Sequence, residues 1–187
     1  MKTFSFRRLA AAINNRRGVS AVEFALIAPV MITLLLGLTQ VTTLVQSRMA
    51  NVEAAYTMAD IVSRCRSVNA GDINDAFVAG ALTVSSTKTM PTNISGYISS
   101  ISYNASTGAT TIDWRYNIGS VTTSDSALLT FATGKGSLGS SLIIAGIDYS
   151  YQVFGQTIPV QIISESTFLS PRLVKSISFG TACNWTP

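Results

Sequence analysis

An α+β fold is predicted, in which a long N-terminal transmembrane helix continues into an amphipathic helix packed on a small antiparallel sheet. Three observations carry this. Residues 24–45 form an apolar run without a formal charge. Beyond Val45, apolar residues recur at three- and four-residue steps. Later still, apolar and polar residues alternate in short runs separated by Gly, Asn, Ser and Thr. Helix first and strands after is an order best satisfied by one sheet with the helix laid against it.

The first element is the run FALIAPVMITLLLGLTQVTTLV, 22 residues long. At about 1.5 Å per residue, a helix of this length crosses a hydrocarbon core of roughly 30 Å. Thr39, Gln40, Thr42 and Thr43 make its second half less apolar. The hydroxyls can return hydrogen bonds to the helix backbone, whereas Gln40 seeks a partner. Pro29, one turn into the span, removes a backbone donor and should bend the helix. Ahead of the run lie Lys2, Arg7, Arg8, Arg16 and Arg17 with no acid, and the flank after it is nearly balanced. That asymmetry predicts a cytoplasmic N-terminus and a C-terminal part outside the cytoplasm. A cleaved secretory signal peptide is the alternative. Against it, the apolar run exceeds the usual core of about 7–15 residues, and no small-x-small site closes it.

Val45, Met49, Val52, Tyr56, Ala59 and Val62 extend the helix to about Arg66, with Arg48, Glu53 and Asp60 nearer the wet side and an Ala-rich face suited to a core. Residues 72–82 read as a short second helix. YISSISYN, the turn NASTG and TTIDWRYNI form a hairpin, with Tyr97, Ile101 and Tyr103 on one parity. In its second strand Ile112, Trp114, Tyr116 and Ile118 are expected to share a face. SDSALLTFA reads as a short helix capped by Ser124. A strand follows with Ile147, Tyr149, Tyr151 and Val153 on one side. FGQT then turns the chain into IPVQIISESTF, and RLVKSISF is expected to add a last strand.

Composition removes several functions. The formal charge of +4 belongs to the leader: from Val19 onward eight basic residues face nine acidic ones, so no basic surface for nucleic acid is left. The chain has no histidine, which excludes Ser-His-Asp and Cys-His nucleophiles, His-containing zinc sites and histidine acid–base chemistry. Gly134-Lys135-Gly136 lacks the spacing of a phosphate loop, and the aspartates lack that of a calcium loop. No metal site, no cofactor and no catalytic residue is expected, and the chain does not read as an enzyme. Cys65 and Cys183 are an even pair. Outside the cytoplasm such a pair reads as a disulfide pinning the C-terminal segment to the helix, worth roughly 4–5 kcal/mol in the chain-entropy model. Two separate buried thiols are the alternative.

The sharpest feature is Glu23, a carboxylate just ahead of the apolar run in RRGVSAVEF. It can sit harmlessly among headgroups. It also lies four residues from Val19, the residue that a cut after Gly18 would leave as a new amino end. Four residues are about one helical turn, and in apolar surroundings two opposite charges cost less paired than alone. The amine could be its own or that of a neighbouring helix in a staggered bundle.

GVSAVEFALIAPVMITLLLGLTQ resembles the N-terminus of the TadE-like pseudopilins of tight-adherence (Flp-type) pilus systems, whose N-termini are type IV-pilin-like. The resemblance is strongest over residues 16–40 and returns weakly in IDYSYQVFGQTIPVQIISESTFLSPR. It implies that a membrane prepilin peptidase cuts between Gly18 and Val19, and that Glu23, Phe24 and Pro29 serve helix docking during assembly. Phe24 departs from the Glu-Tyr pair common in major Flp subunits but resembles the aromatic usual in TadE-like members. The 169 residues left after cleavage resemble a minor pseudopilin rather than the short major pilin, and leave no room for the large region of TadG-like relatives.

The expected organisation is a basic leader over residues 1–18, a transmembrane and stalk helix over 19–68 and an extracytoplasmic α+β domain over 69–187. The resemblance implies a single-pass protein of the bacterial inner membrane, its C-terminal domain periplasmic or carried into an extracellular pilus, with a role in pilus assembly, priming or tip formation and in cell adhesion. The partners implied are the prepilin peptidase, other minor pseudopilins, the major Flp pilin and the inner-membrane assembly platform, without nucleic acid. A permanently anchored periplasmic binding or adhesin module, with Glu23 incidental, is the alternative.

Overall fold

A computed structural model describes residues 17–84, 94–151 and 161–184. The chain divides into two units, residues 1–44 and 45–187. Helix α1, Arg17–Ser63, contains the first unit's described residues and the opening of the second. Its apolar part is a plain helix held by its own backbone, and Pro29 is accommodated within it. Thr33, Thr39, Thr42 and Thr43 donate their hydroxyls to carbonyls three or four residues back, which satisfies these polar groups inside the helix.

In the second unit α1 is followed by β1 (Ser67–Val68), α2 (Ala70–Val84), β2 (Ile94–Tyr103), β3 (Thr110–Ile118), α3 (Asp125–Ala132), β4 (Ser141–Tyr151), β5 (Gln161–Leu169) and β6 (Ser178–Phe179). The main sheet is antiparallel throughout, in the order β3-β2-β4-β5. One face carries Ile94, Ile98, Ile143, Ala145 and Ile147, which pack with Ala54, Ala55, Met58, Ala59 and Val62 of α1 and with Ile73, Ala76, Phe77 and Ala81 of α2. The other face carries Tyr97, Ile101, Tyr103, Leu142 and Ile144 against Leu128 and Ala132 of α3. The sheet therefore has a helical layer on each side.

Local sequence explains the joints. Asn69 and Asp72 cap α2 reciprocally: the Asp72 amide donates to Asn69 Oδ1 and the Asn69 amide to Asp72 Oδ2, both at 2.9 Å. Asn104 Oδ1 accepts from the amides of Ser106 and Thr107, and Gly108 supplies the positive φ that closes the β2–β3 turn. Ser124 caps α3 by accepting from the Ala127 amide. Gly80 lets α2 approach α1 closely, because a Cβ there would lie 2.8 Å from the Ala54 carbonyl oxygen.

Three expectations are corrected. Ile112 does not share a face with Trp114, Tyr116 and Ile118. The β2–β3 register slips between Ser100 and Ile101, so Ile101 pairs with Ile112, Ser100 pairs with Trp114 and Asp113 is the extra residue of a β-bulge. Ile112 packs with the Tyr97–Leu128 cluster and the other three with the α1–α2 cluster. Second, the strand expected around residue 147 begins at Ser141. Leu142, Ile143 and Ile144 are all buried, as a central strand covered on both faces requires, and such a strand shows no alternation. Third, RLVKSISF contributes only the two residues of β6, which pair in parallel with β1 outside the main sheet. Val153 and the FGQT turn lie outside the described residues.

Candidate functional site: the N-terminal helix and the disulfide clasp

Gly18, Val19, Glu23, Phe24 and Pro29 all lie on α1 and all are exposed. Gly18 and Val19 belong to its first turn, and a Cβ added at Gly18 would meet nothing within 4 Å. The bond between them is thus free of steric cover among the described residues, in the part of a helix that frays first. Glycine weakens that turn further, by about 1 kcal/mol relative to alanine. Glu23 stands one turn after Val19 and forms no ion pair among the described residues. Gly18–Ser63 is the one helix among the described residues that is long and apolar enough to cross a membrane, with a most apolar stretch of mean hydropathy 2.2. Together these residues present an exposed first turn, a carboxylate and an apolar rod.

The second unit brings together what sequence separates. Cys65 lies just past the end of α1 and is joined to Cys183, 118 residues later, by a disulfide. Its surroundings act with it. Asp72 Oδ2, already capping α2, also accepts from the Cys183 amide at 2.8 Å. Ser67 Oγ donates to the Ala182 carbonyl, and the Gly180 amide donates to the Val68 carbonyl. Trp114 Nε1 donates to the Ile177 carbonyl at 2.7 Å. Asp60 on α1 pairs with both Arg64 and Arg172, and the Arg172 amide donates to the Ser63 carbonyl. The C-terminal segment is therefore clasped to the end of α1 by a covalent bond, ion pairs and backbone hydrogen bonds at once. Asp72 and Arg172 are the members that sequence reading missed. The Asn-x-x-Asp spacing at 69–72 signals a helix cap, but nothing in sequence announces its second partner 111 residues away.

Compared with known proteins, residues 18–60 match the family model of TadE-like proteins. The segment that carries Gly18, Glu23, Phe24 and Pro29 thus resembles that of TadE-like proteins. No curated protein and no solved structure matches the chain.

Proposed function

We propose that this chain is a minor pseudopilin: a single-pass subunit, cut after Gly18 by a prepilin peptidase, that takes part in building, priming or tipping a Flp-type pilus. The observation that carries this reading is the placement of Glu23 one turn beyond the Gly18–Val19 bond, at the head of an exposed apolar helix within a TadE-like segment. Before cleavage the five basic residues of the leader hold the N-terminus in the cytoplasm. Cleavage removes them and leaves the Val19 amine. A carboxylate or an ammonium alone is costly at the membrane edge, and each becomes tolerable beside the other. Pairing Glu23 of one subunit with the amine of a neighbour sets the stagger between helices. Exposed Phe24 and the apolar stretch after it supply packing surface.

The second unit is then the periplasmic head at the bacterial inner membrane. A disulfide suits that oxidising compartment. Its partners are the peptidase, other minor pseudopilins, the major pilin and the assembly platform, and its own chemistry is that of a peptidase substrate and an assembly part. The test is Glu23→Gln, with leader removal and pilus formation followed in the same cells. Cleavage should persist while piliation fails. Normal piliation by the variant contradicts the proposed role of Glu23 and favours a permanently anchored binding module.

A further inference from the structure

Within the second unit, α1 has two apolar faces, and only one is used by the core. Ala54, Ala55, Met58, Ala59 and Val62 are at most 1% exposed. About a third of a turn away, Val45, Met49, Val52 and Tyr56 are 49, 67, 49 and 50% exposed. Their steps of four, three and four residues are those of a heptad seam, with Val45 and Val52 at d and Met49 and Tyr56 at a. Ala59 is the next d position on this line and is buried, so the core covers the seam only from Ala59 onward and leaves Val45, Met49, Val52 and Tyr56 open.

The charges beside the stripe say what covers it. Arg48 falls at g and Glu53 at the e of the following heptad, both exposed, and together with Met49, Val52 and Tyr56 they line one shallow apolar depression. Neither side chain has an opposite charge among the described residues. Two parallel helices in register bring g of one against the next e of the other, which places Arg48 of each copy against Glu53 of its twin. An antiparallel pair would instead oppose g to g and e to e, setting like charge against like. One sequence thus carries both halves of a self-complementary, parallel contact.

We propose that a second copy of this chain docks on the Val45–Met49–Val52–Tyr56 stripe as a parallel, in-register helix pair closed by reciprocal Arg48–Glu53 ion pairs. Two heptads are too few to hold a dimer in dilute solution. Anchoring both helices in one bilayer supplies the effective concentration and the parallel orientation. The pair is one of anchored copies in the bilayer, separate from the staggered neighbours of the assembled pilus. It rests on the membrane anchor of the proposed function but not on leader cleavage or Glu23, so either can fail without the other.

The experiment uses the full chain reconstituted in phospholipid bilayers at a fixed protein-to-lipid ratio. A short bismaleimide is applied to Val52→Cys, on the stripe, and to Thr57→Cys, on the far side of the helix. Val52→Cys should give several-fold more covalent dimer. In the Val52→Cys background, Arg48→Glu alone and Glu53→Arg alone should each weaken self-association about tenfold, since two attractions become two repulsions. Mixing those two variants under different tags should restore a heterodimer with both ion pairs intact, which a misfolded variant could not do. Equal cross-linking at residues 52 and 57, or single charge reversals without effect, or a mixture that stays monomeric, would overturn the proposal. Capture of a different protein at residue 52, with no homodimer, would overturn it as well.

Discussion

Gly80→Ala tests how closely α1 and α2 cross within the second unit. An alanine Cβ at this position would lie 2.8 Å from the Ala54 carbonyl oxygen and 2.6 Å from Met58 Cγ. The methionine can rotate away, but the carbonyl belongs to a helix backbone and cannot. On intrinsic propensity alone, alanine in a helix interior is favoured over glycine by about 1 kcal/mol. Overpacking against a fixed neighbour costs about 1–3 kcal/mol, and a backbone contact belongs in the upper part of that range. The variant should therefore be less stable by roughly 1–2 kcal/mol, which lowers Tm by about 3–6 °C in a unit of this size. Thermal unfolding of the full chain in detergent, followed by tryptophan fluorescence, reads this out, since Trp114 is half-buried and hydrogen-bonded to the Ile177 carbonyl. Adding Met58→Ala should not restore stability, because the carbonyl contact remains. An unchanged or raised Tm for Gly80→Ala would refute the close crossing.

Two further outcomes follow from the head. Reducing the protein should add the mass of two hydrogens. Replacing Cys65 and Cys183 by serine should lower stability by up to about 4–5 kcal/mol, with amide protection lost first at Gly180 and Cys183 and kept longer in α3. Tyr97 is only 3% exposed, and burial above all raises its pKa from the ordinary 10.0, so the fold favours the neutral phenol. Its contribution is therefore fully present below pH 10.0 and is lost as pH rises through the folded-state value. Urea unfolding at rising alkaline pH should show that decline, and Tyr97→Phe should flatten it in part, because Tyr103 is raised by burial too. An unflattened decline would contradict the assignment to Tyr97.

Much of this architecture was legible in local sequence. The apolar span, the continuing helix, the NASTG hairpin and the Ser124 cap each depend on neighbours within a few residues, where periodicity and side-chain capping act. The misreadings arose where tertiary context decides. Leu142–Ile144 is buried on both faces, so alternation vanished where the strand is most central. Ile112 changed face because Asp113 inserts a bulge, where it accepts hydrogen bonds from Ser100 and Ser102, and no local pattern marks that. Along α1, spacing alone could not tell the alanines that meet the sheet from the Val45–Tyr56 stripe that does not. At the candidate site, the Gly18-to-Glu23 spacing is short-range and readable. The clasp around Cys183 draws on Asp72, Ser67 and Val68, which only folding brings to it.

The most direct measurement is the intact mass of the chain recovered from assembled filaments and from the membrane. If a new amino end one turn from Glu23 is what lets the helices pack, the assembled form begins at Val19 and lacks all five leader cations. A working, assembled subunit that still carries Lys2 through Arg17 would contradict it.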